Sequence, residues 1–374
     1  MSTTGVNQYF TQKTLPIHYE SNLSDSKNKV HALVILGRFL EVAAAGIIIA
    51  SIVSSFIFTP IALAAIPLGL VLGIVGHKLT KARIYPSGKI NIPIFNRPPF
   101  IEGQPVGIVN ASCNCWINSL MQMVQNVPSL KQMVQNLPST FQSFKTFSQD
   151  YQKAQMQKES TCSGDSQNLR LSLHNSSRGV ISDNASRQED ASEALSFIFN
   201  HAQQAGSPLF NQVEEVRNGK SFFNPEYLIP VSLFNLKNSS FYELVREYFY
   251  VSNGHGNARR YFSNTPQEFM LQMNRYTYDG VSSLKINDPV AIPINFNLPN
   301  DWVRSPNGGG TYTCDAFIQH QGSSFNYGHY VAYVRKEDGT WWYCSDNTIY
   351  PVSLTEVEQA MQTAYLYHFK RIVS

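Results

Sequence analysis

The sequence predicts an α+β fold for residues 101–374, in which helices precede strands. Apolar residues recur at helical spacing in two early stretches, 117–127 and 191–201, and this spacing places them on one face of a helix. From Tyr227 onward, short β-prone runs alternate with turn dipeptides such as Asp338-Gly339, a pattern typical of antiparallel hairpins. Helical segments followed by strands are typical of a single α+β domain.

Composition narrows the classes of protein that fit. The 374 residues are 43% hydrophobic and carry a net charge of +3, which indicates a folded core and not a disordered chain. No basic run is long or dense enough to predict a nucleic-acid partner. The five cysteines are an odd number without a CxxC pair, which argues against a disulfide framework and a structural zinc site. We therefore expect no metal and no cofactor.

The N-terminal hundred residues predict a membrane anchor. Residues 1–37 are polar and predict a flexible arm. Residues 42–76 carry no charge, and Pro60 divides them into runs of 18 and 16 residues, each slightly shorter than the about 20 residues of one membrane-spanning helix. Basic residues on both sides favour a helical hairpin with both ends in the cytosol. One kinked span and a buried soluble helix pair are the alternatives.

Within the later domain, the early part contains two kinds of segment. The apolar spacing predicts one helix over 118–127, ended by Pro128, and a second over 191–201. The stretch 158–187 is rich in serine and asparagine and predicts a mobile loop.

Two motifs more than two hundred residues apart carry the chemistry. The first is GIVNASCNCWINS at 107–119, and the second is GHYVAYV at 328–334, followed by WYCSDN at 342–347. Cys115 stands where an irregular segment meets the first predicted helix. A helix N-terminus favours a thiolate, which is the nucleophilic form of cysteine. Together the motifs offer a thiol, an imidazole and a carboxylate, the side chains of a cysteine hydrolase.

The last hairpin predicts how the imidazole and the carboxylate meet. With a two-residue turn at Asp338-Gly339, Val331 faces Asp346 and His329 faces Thr348. His329 and Asp346 are then diagonal neighbours on one sheet face, within side-chain reach. Such a carboxylate fixes the tautomer of the imidazole and stabilises its protonated form.

Asn110, five residues before Cys115, is open to two interpretations. Its amide could donate to the oxyanion of a tetrahedral intermediate, or it could make only a local turn.

These motifs resemble those of the ubiquitin-specific proteases, which are papain-like deubiquitinases. Three further segments are similar to family elements in the same order: QEDASEAL at 188–195, PQEFMLQMNRY at 266–276 and AYLYHFKR at 364–371. The resemblance implies a papain-like fold of thumb, palm and reduced fingers. It implies Cys115 as nucleophile, His329 as general base and acid, Asp346 as the orienting carboxylate and Asn110 as oxyanion donor.

The resemblance also implies where substrate binds. Asp190 and Glu193 are expected near the basic C-terminal tail of ubiquitin. Gly328 and Tyr330 are expected at a channel narrow enough for a Gly-Gly tail.

The chain departs from the family pattern at several positions. Ser112 replaces a usual glycine, Asn347 replaces a frequent second aspartate, and the CxxC pairs often present in the fingers are missing from the sequence. Cys113 lies two residues from Cys115, but only Cys115 is followed by Trp-Ile-Asn-Ser.

The sequence therefore predicts a membrane-anchored deubiquitinase that hydrolyses the isopeptide bond at the ubiquitin C-terminus. Its partners would be ubiquitin, ubiquitinated proteins and a membrane bound through residues 42–76. The alternatives are a protease for another ubiquitin-like modifier, an inactive ubiquitin-binding module and a membrane tether. The predicted division is a flexible polar arm at 1–37, a transmembrane hairpin at 38–78, a proline-rich linker at 79–100 and the catalytic domain at 101–374.

The anchor predicts a location as well. A hydrophobic hairpin behind a polar arm is similar to the inclusion-membrane effectors that intracellular bacteria inject into host cells. A eukaryotic organelle-anchored protease is the competing source. In both cases the catalytic domain is expected to face the cytosol.

Overall fold

The computed structural model describes residues 103–372 with short gaps, which fall at 208–210, 234–239, 254–255, 279–282, 307, 323 and 325–326. The predicted arm, hairpin and linker at 1–37, 38–78 and 79–100 lie outside the described residues. In the described part of the chain, no helix has the length and apolar character needed to cross a bilayer.

The helices lie mostly in the first half of the described chain, as the sequence predicts. They are α1 (Cys115–Asn126), α2 (Pro128–Gln135), α3 (Gln142–Met156), α4 (Ser166–Ser176), α5 (Ala191–Gln204), α6 (Phe241–Phe249) and α7 (Leu354–Met361). Short 3₁₀ turns occur at Ser139–Phe141 and Asn300–Trp302.

Helix α1 confirms the first predicted helix and extends it to Cys115. Ile117, Leu120 and Val124 are fully buried on one face, as their spacing predicts. Pro128 ends this helix and also begins α2, because a proline needs no hydrogen-bond acceptor in the first turn of a helix.

The strands follow. They are β1 (Gly107–Ile108), β2 (Thr161–Cys162), β3 (Asn211–Arg217), β4 (Lys220–Glu226), β5 (Leu228–Ser232), β6 (Tyr250–Asn253), β7 (Gly256–Phe262), β8 (Glu268–Asn274), β9 (Tyr276–Tyr278), β10 (Ser283–Lys285), β11 (Asn295–Leu298), β12 (Gly310–Gln321), β13 (His329–Arg335), β14 (Trp341–Ser345), β15 (Thr348–Val352) and β16 (Leu366–Arg371).

β1 pairs with β2 and β9 with β10 in two-stranded sheets, and two larger sheets contain the other twelve strands. The larger has the order β15-β14-β13-β12-β16-β8-β5, with β11 paired to β12, and the smaller has the order β4-β3-β7-β6. Helices α1–α5 come first in the chain, followed by the strands of the smaller sheet and then by most strands of the larger sheet. The expected division into thumb, palm and fingers stays a prediction.

Alternate residues of the larger sheet belong to two separate cores. Met270 and Leu366 pack with the helical segments, whereas Phe269 and Tyr367 pack in a second cluster with α6 and α7. This division follows from the period of two along a strand, which sends neighbouring side chains to opposite faces. Cys115, the first residue of α1, lies in the first of these two clusters, between the helical segments and the sheet face that carries Met270 and Leu366.

The predicted loop at 158–187 is wrong in part, because it contains β2 and α4. Asp165 begins α4 by accepting a hydrogen bond from the Gln167 backbone N–H at 2.8 Å. Leu169 and Leu173 are four residues apart and fully buried. This apolar pair at helical spacing decides the conformation, although most of its neighbours are polar.

The predicted register of the last hairpin is also wrong, by one residue. Ala332 pairs with Cys344, and Val334 pairs with Trp342. The Lys336 N–H donates to the Thr340 carbonyl at 2.9 Å, so residues 337–339 form a three-residue loop in place of the predicted two-residue turn, with Gly339 at a φ of +87° in its last position. Asp346 therefore does not face Val331.

Asp346 instead lies in the next turn. Ser345 of β14 pairs with Thr348 of β15, so Asp346 and Asn347 form the two-residue connection. Asp346 takes a φ of +53° there, a conformation that aspartate tolerates better than most residues.

Candidate active site

Cys115 is the first residue of α1 and is packed against β13. Its side chain is 5% exposed. The sulfur accepts hydrogen bonds from the Tyr330 backbone N–H and from Gln188 Nε2, at 3.4 Å. Cys115 of the first motif thus contacts Tyr330 of the second motif, the residue after His329.

Cys115, the predicted nucleophile, rests as a thiol in this arrangement. Burial raises the pKa of Cys115 to about 11, and the charge of Asp346 adds to this rise, while the bonds from Tyr330 and Gln188 oppose it. The expectation that the helix N-terminus would favour the thiolate is wrong for this arrangement, because it left out the desolvation of a buried sulfur. If Cys115 is the nucleophile, a base must therefore take its proton as the sulfur attacks.

His329 is the first residue of β13 and lies beside two oxygen groups. Its Nε2 is 2.8 Å from Ser345 Oγ and 3.9 Å from Asp346 Oδ2. The structure thus brings His329 and Asp346 together, but through the turn after β14 and not through strand pairing. Ser345 was missed by sequence reasoning, and its position immediately before Asp346 at a strand end was the available signal.

Two amides hold the carboxylate of Asp346. Asn118 Nδ2 donates to Oδ1 at 2.8 Å, and Asn110 Nδ2 donates to Oδ2 at 2.9 Å. Asn118 lies one turn after Cys115 on α1, so the helix that carries the nucleophile also anchors the acid. Sequence reasoning did not identify Asn118.

Asn110 is fixed at both ends of its amide. Its Oδ1 accepts hydrogen bonds from the backbone N–H groups of Ser112 and Asn114, each at 3.2 Å. The Nδ2 group must then face Asp346. The oxyanion role expected for Asn110 stays a prediction, and in this arrangement its amide serves the carboxylate.

Gly107 allows the first motif to approach the Asp346 turn. A Cβ at this position would lie 2.8 Å from the Asn347 carbonyl oxygen, which is closer than a side chain permits. The Ile108 N–H donates to the Asp346 carbonyl at 2.9 Å. Backbone contact therefore joins β1 to the turn that carries the acid.

Arg170 of α4 anchors the loop before the nucleophile. The residue is fully buried. Its Nη1 donates to Cys113 O at 3.3 Å and to Asn114 Oδ1 at 3.1 Å, and its Nη2 donates to Arg187 O at 2.5 Å. One guanidinium thus ties the start of α1 to the segment that leads to Gln188. Sequence analysis missed Arg170 because it predicted a mobile loop over 158–187.

Asp190 has a structural task that the sequence did not predict. Its Oδ1 caps α5 by accepting from the Ser192 N–H at 2.7 Å and from the Glu193 N–H at 3.1 Å, and the Tyr365 hydroxyl donates to Oδ2 at 2.8 Å. Glu193 is exposed. The two acids lie in the first turn of the helix that follows Gln188, and their contact with substrate stays a prediction.

Gly328 and Tyr330 flank His329 in different ways. Gly328 is exposed, and a Cβ there would lie 2.5 Å from the Gln321 carbonyl oxygen. The Tyr330 side chain is 3% exposed, so only the backbone of Tyr330 is available to a substrate in this arrangement. Across the described ranges, no group of three or more His, Cys, Asp or Glu side chains is arranged to hold a metal ion.

Comparison with known proteins gives one family. The family model described as "Ubiquitin carboxyl-terminal hydrolase" matches residues 106–369, well over half of the chain. The chain is 28% identical over 106 residues to probable ubiquitin carboxyl-terminal hydrolase 16 of Schizosaccharomyces pombe, a match that covers 28% of this chain and 22% of that protein. It is 29% identical over 113 residues to ubiquitin carboxyl-terminal hydrolase 21 of Arabidopsis thaliana, covering 29% and 15%. The matches thus span less than a quarter of these relatives.

Solved structures show the same fold. A chain of the SAGA DUB module of Ubp8, Sgf11, Sus1 and Sgf73 bound to monoubiquitin has a TM-score of 0.55 and 19% identity, over 75% of this chain and 73% of that chain. The same module bound to ubiquitin aldehyde has a TM-score of 0.55 and 17% identity, over 74% and 71%. At this level of identity the likeness concerns the fold alone.

Proposed function

The chain belongs to the ubiquitin carboxyl-terminal hydrolase family, and from that premise we propose that it is a deubiquitinase that hydrolyses the isopeptide bond at the ubiquitin C-terminus. The observation that carries the proposal is the meeting of the two motifs at the start of α1. The sulfur of Cys115 contacts the backbone N–H of Tyr330, the residue after His329. The Nε2 atom of His329 faces both Ser345 and Asp346. A cysteine and a histidine that further groups orient are the side chains that covalent acyl transfer uses.

The reaction follows from this geometry. His329 takes the thiol proton while the sulfur attacks the carbonyl carbon of the last glycine of ubiquitin. The imidazolium returns the proton to the departing lysine amine, which leaves a thioester on Cys115. Water activated by the same imidazole then releases the ubiquitin carboxylate. Because the resting thiol has a raised pKa, proton transfer and attack belong to one step.

The substrate would enter beside Gly328. Any side chain there would meet the Gln321 carbonyl, and a glycine leaves the backbone open to a chain that itself lacks side chains. The carboxylates of Asp190 and Glu193 at the start of α5 suit the basic residues of the ubiquitin tail, because charge-assisted hydrogen bonds to arginine are strong.

A ubiquitin probe with an electrophilic C-terminus tests this proposal on the full chain. We expect one covalent adduct, mapped by mass spectrometry to Cys115. Cys115→Ala should abolish the adduct, while Cys113→Ala, the matched control two residues away, should keep most of it. An adduct on Cys113 would contradict the choice of nucleophile. Tight ubiquitin binding without an adduct would indicate an inactive module, and preferential labelling by a probe for another modifier would change the substrate.

We further propose that residues 42–76 anchor this domain to a membrane. The support is 35 successive residues without a charge, divided by Pro60 and flanked by basic residues, which favours a hairpin with cytosolic ends. The full chain should float with lipid vesicles, and a chain without residues 38–78 should not, while both react with the ubiquitin probe. Equal flotation of the two would contradict the anchor.

The location proposed for this anchor is the cytosolic face of a host membrane, reached by a secreted bacterial effector. The support is the similarity of a polar arm and paired hydrophobic segment to inclusion-membrane effectors. Protease treatment of intact membranes carrying the full chain should remove residues 101–374. A catalytic domain protected from the protease would contradict the orientation.

A further inference from the structure

Lys285, the last residue of β10, contacts the end of the strand that pairs with His329. Its Nζ donates hydrogen bonds to the carbonyl oxygens of His320 and Gly322, each at 2.7 Å. Gln321 lies between these two residues in the chain and is the partner of His329 in the pairing of β12 with β13. One ammonium group therefore holds the backbone on both sides of the position opposite the predicted base.

The ends of β12 and β13 bring two glycines into close backbone contact. Gly322 adopts a φ of +140°, a conformation that side chains disfavour. A Cβ on Gly322 would lie 2.9 Å from the Cα of Gly328, and one on Gly328 would lie 2.5 Å from the Gln321 carbonyl oxygen. Both glycines are exposed and carry no side chain that could pack in a core. The position of these strand ends thus depends on hydrogen bonds to their backbone, including the two from Lys285.

Lys285 is itself fixed to a buried part of the domain. It pairs with Tyr276 of β9, and the N–H of the next residue, Ile286, donates to the Arg275 carbonyl at 2.7 Å. Arg275 is almost fully buried, and its Nε donates to the Ala364 carbonyl at 2.7 Å. Burial lowers the pKa of Lys285 to about 8, and the charge of Arg275 adds to this shift, so the ammonium is present at neutral pH.

The ring beside Lys285 also belongs to this arrangement. The His320 imidazole packs against the Tyr330 ring, with centroids 4.5 Å apart, and its Nδ1 lies 3.3 Å from the Tyr276 hydroxyl. Burial lowers the pKa of His320 to about 4, and the charges of Lys285 and His329 add to this shift. A neutral ring can remain buried beside Tyr330, next to the predicted base.

We propose that Lys285 is a positioning residue for the predicted base: its ammonium holds the end of β12 and thereby sets where His329 stands relative to the sulfur of Cys115. This assignment rests on the proposed function, in which His329 takes the thiol proton. The pair of Gln321 with His329 is the last one between β12 and β13, so a movement of Gln321 moves His329 as well. Lys285 acts through the backbone of β12 and is distinct from the side chains that take part in the reaction.

The test is Lys285→Met in the full chain, assayed with a fluorogenic amide of the ubiquitin C-terminus. Methionine has a similar unbranched chain but no N–H, so the His320 and Gly322 carbonyls lose their donor. Because a misplacement of about 1 Å can cost about 100-fold in rate, we expect kcat to fall by about tenfold to 100-fold, with KM within about threefold of wild type. An unchanged kcat would overturn the proposal.

Lys336→Met is the matched control. Lys336 is also half-buried and follows the opposite end of β13, where its Nζ donates to Asn126 Oδ1 at 3.2 Å. Its kcat should equal that of wild type, and a fall as large as that of Lys285→Met would overturn the proposal. Urea unfolding gives the folded fraction of each variant, so that rates are compared per folded protein. Lys285→Arg keeps a cation with several N–H donors and should restore most of the lost turnover; a rate as low as that of Lys285→Met would contradict the role of the cationic donor.

Alkylation of Cys115 by iodoacetamide separates the positioning of the base from substrate binding. This reaction needs the thiolate, and because burial raises the pKa of Cys115, it depends on a nearby base but not on ubiquitin. We expect Lys285→Met to slow alkylation at neutral pH by the same factor as turnover. A raised KM with wild-type alkylation would overturn the proposal, because Lys285 would then shape only the substrate path beside Gly328.

The same reaction keeps this proposal apart from the proposed function. A wild type that is alkylated at Cys115 but leaves ubiquitin reporters intact would contradict the proposed function alone. The alkylation rates of Lys285→Met and Lys336→Met would then still decide the positioning role: a slower rate in Lys285→Met only supports it, and equal rates overturn it.

Discussion

His329 and His368 both lie beside carboxylates, but His329 alone of these two has the features of a proton-transfer group. His329 begins β13, is partly exposed, and has Asp346 Oδ2 at 3.9 Å from its Nε2. His368 lies within β16 and is fully buried. It contacts Asp315 through Nδ1 and Glu268 through Nε2, the latter at 3.4 Å.

The two histidines differ in their exposure to solvent and in the number of carboxylates that contact the ring. Burial by itself would lower the pKa of His368, but the charges and hydrogen bonds of Asp315 and Glu268 raise it to about 9. Such a ring stays protonated at neutral pH and acts as a buried cation between strands. His329 has one carboxylate at a longer distance and is partly exposed to solvent, so its ring can exchange a proton with a group that reaches it. A histidine–carboxylate pair is therefore a catalytic candidate only when the ring is also accessible.

The largest effect that tests this contrast is on turnover. His329→Ala should lower kcat by about 10⁴-fold, because general acid–base catalysis contributes up to this factor and both half-reactions use the ring. Hydrolysis of the ubiquitin reporter measures it. The midpoint of urea unfolding should barely move, since a partly exposed ring contributes little to stability. A variant with wild-type turnover would remove His329 from the mechanism.

The corresponding change at the other histidine should affect stability. His368→Leu leaves the carboxylates of Asp315 and Glu268 without their buried partner, and removal of one member of a buried ion pair destabilises by about 3–5 kcal/mol. Urea denaturation followed by tryptophan fluorescence measures this loss. The folded fraction should retain kcat. A variant as stable as His329→Ala would show that the buried pair contributes little.

The contrast also predicts a pH dependence of stability. The folded pKa of His368, about 9, lies above its ordinary value of 6.5, so its contribution is complete below pH 6.5 and is lost as the pH rises toward 9. This interval corresponds to about 3 kcal/mol. Urea midpoints should therefore fall between pH 6.5 and pH 9 in wild type.

His368→Leu supplies the control for that measurement. The ring contacts Asp315, Glu268 and Tyr227, and Lys370 contacts Asp315. The pKa values of Asp315 and Glu268 are lowered by their contact with the cation even though burial opposes the shift, so both acids titrate below this interval. The variant should show a flatter profile, and an equal slope in both proteins would assign the pH effect to other groups.

The sequence named candidate catalytic side chains, but it did not predict their surroundings. The spacing of apolar residues identified α1 and most of α5, and local motifs identified Cys115, His329 and Asp346 as candidates. The contacts of Gln188 and Asn118 depend on approaches between distant segments, which no local pattern encodes. The pKa of Cys115 was misjudged because desolvation is a property of the packed fold.

The hairpin register shows a different kind of limit. Gly339 permits both a two-residue and a three-residue loop, because glycine accepts the left-handed conformation in either. Packing of the flanking strands selects the longer loop, with Val334 opposite Trp342. His329 and Asp346 nevertheless meet, since the turn after β14 returns the acid toward β13. His329 and Asp346 thus lie close together as predicted, but the turn after β14 brings them together and not the predicted strand pairing.

Ser345 gives the smallest and sharpest test of the contrast between the two histidines. In the active site a neutral hydroxyl, at 2.8 Å from Nε2, is closer to the ring than the carboxylate is. An Nε2–H that donates to Ser345 leaves Nδ1 as the base, so this hydroxyl helps to select the tautomer. Ser345→Ala removes one hydrogen bond of about 1 kcal/mol, which corresponds to a fall in kcat of about fivefold to tenfold.

The pH profile of kcat separates this role from simple packing. Without the hydroxyl, Asp346 alone would contact Nε2 of His329. Ser345→Thr keeps a hydroxyl at this position and should restore most of the activity. Equal rates for Ser345→Ala and wild type would show that the carboxylate orients His329 despite its longer distance. His329 would then resemble His368 in depending on an acid, and accessibility to solvent would remain the feature that separates the two.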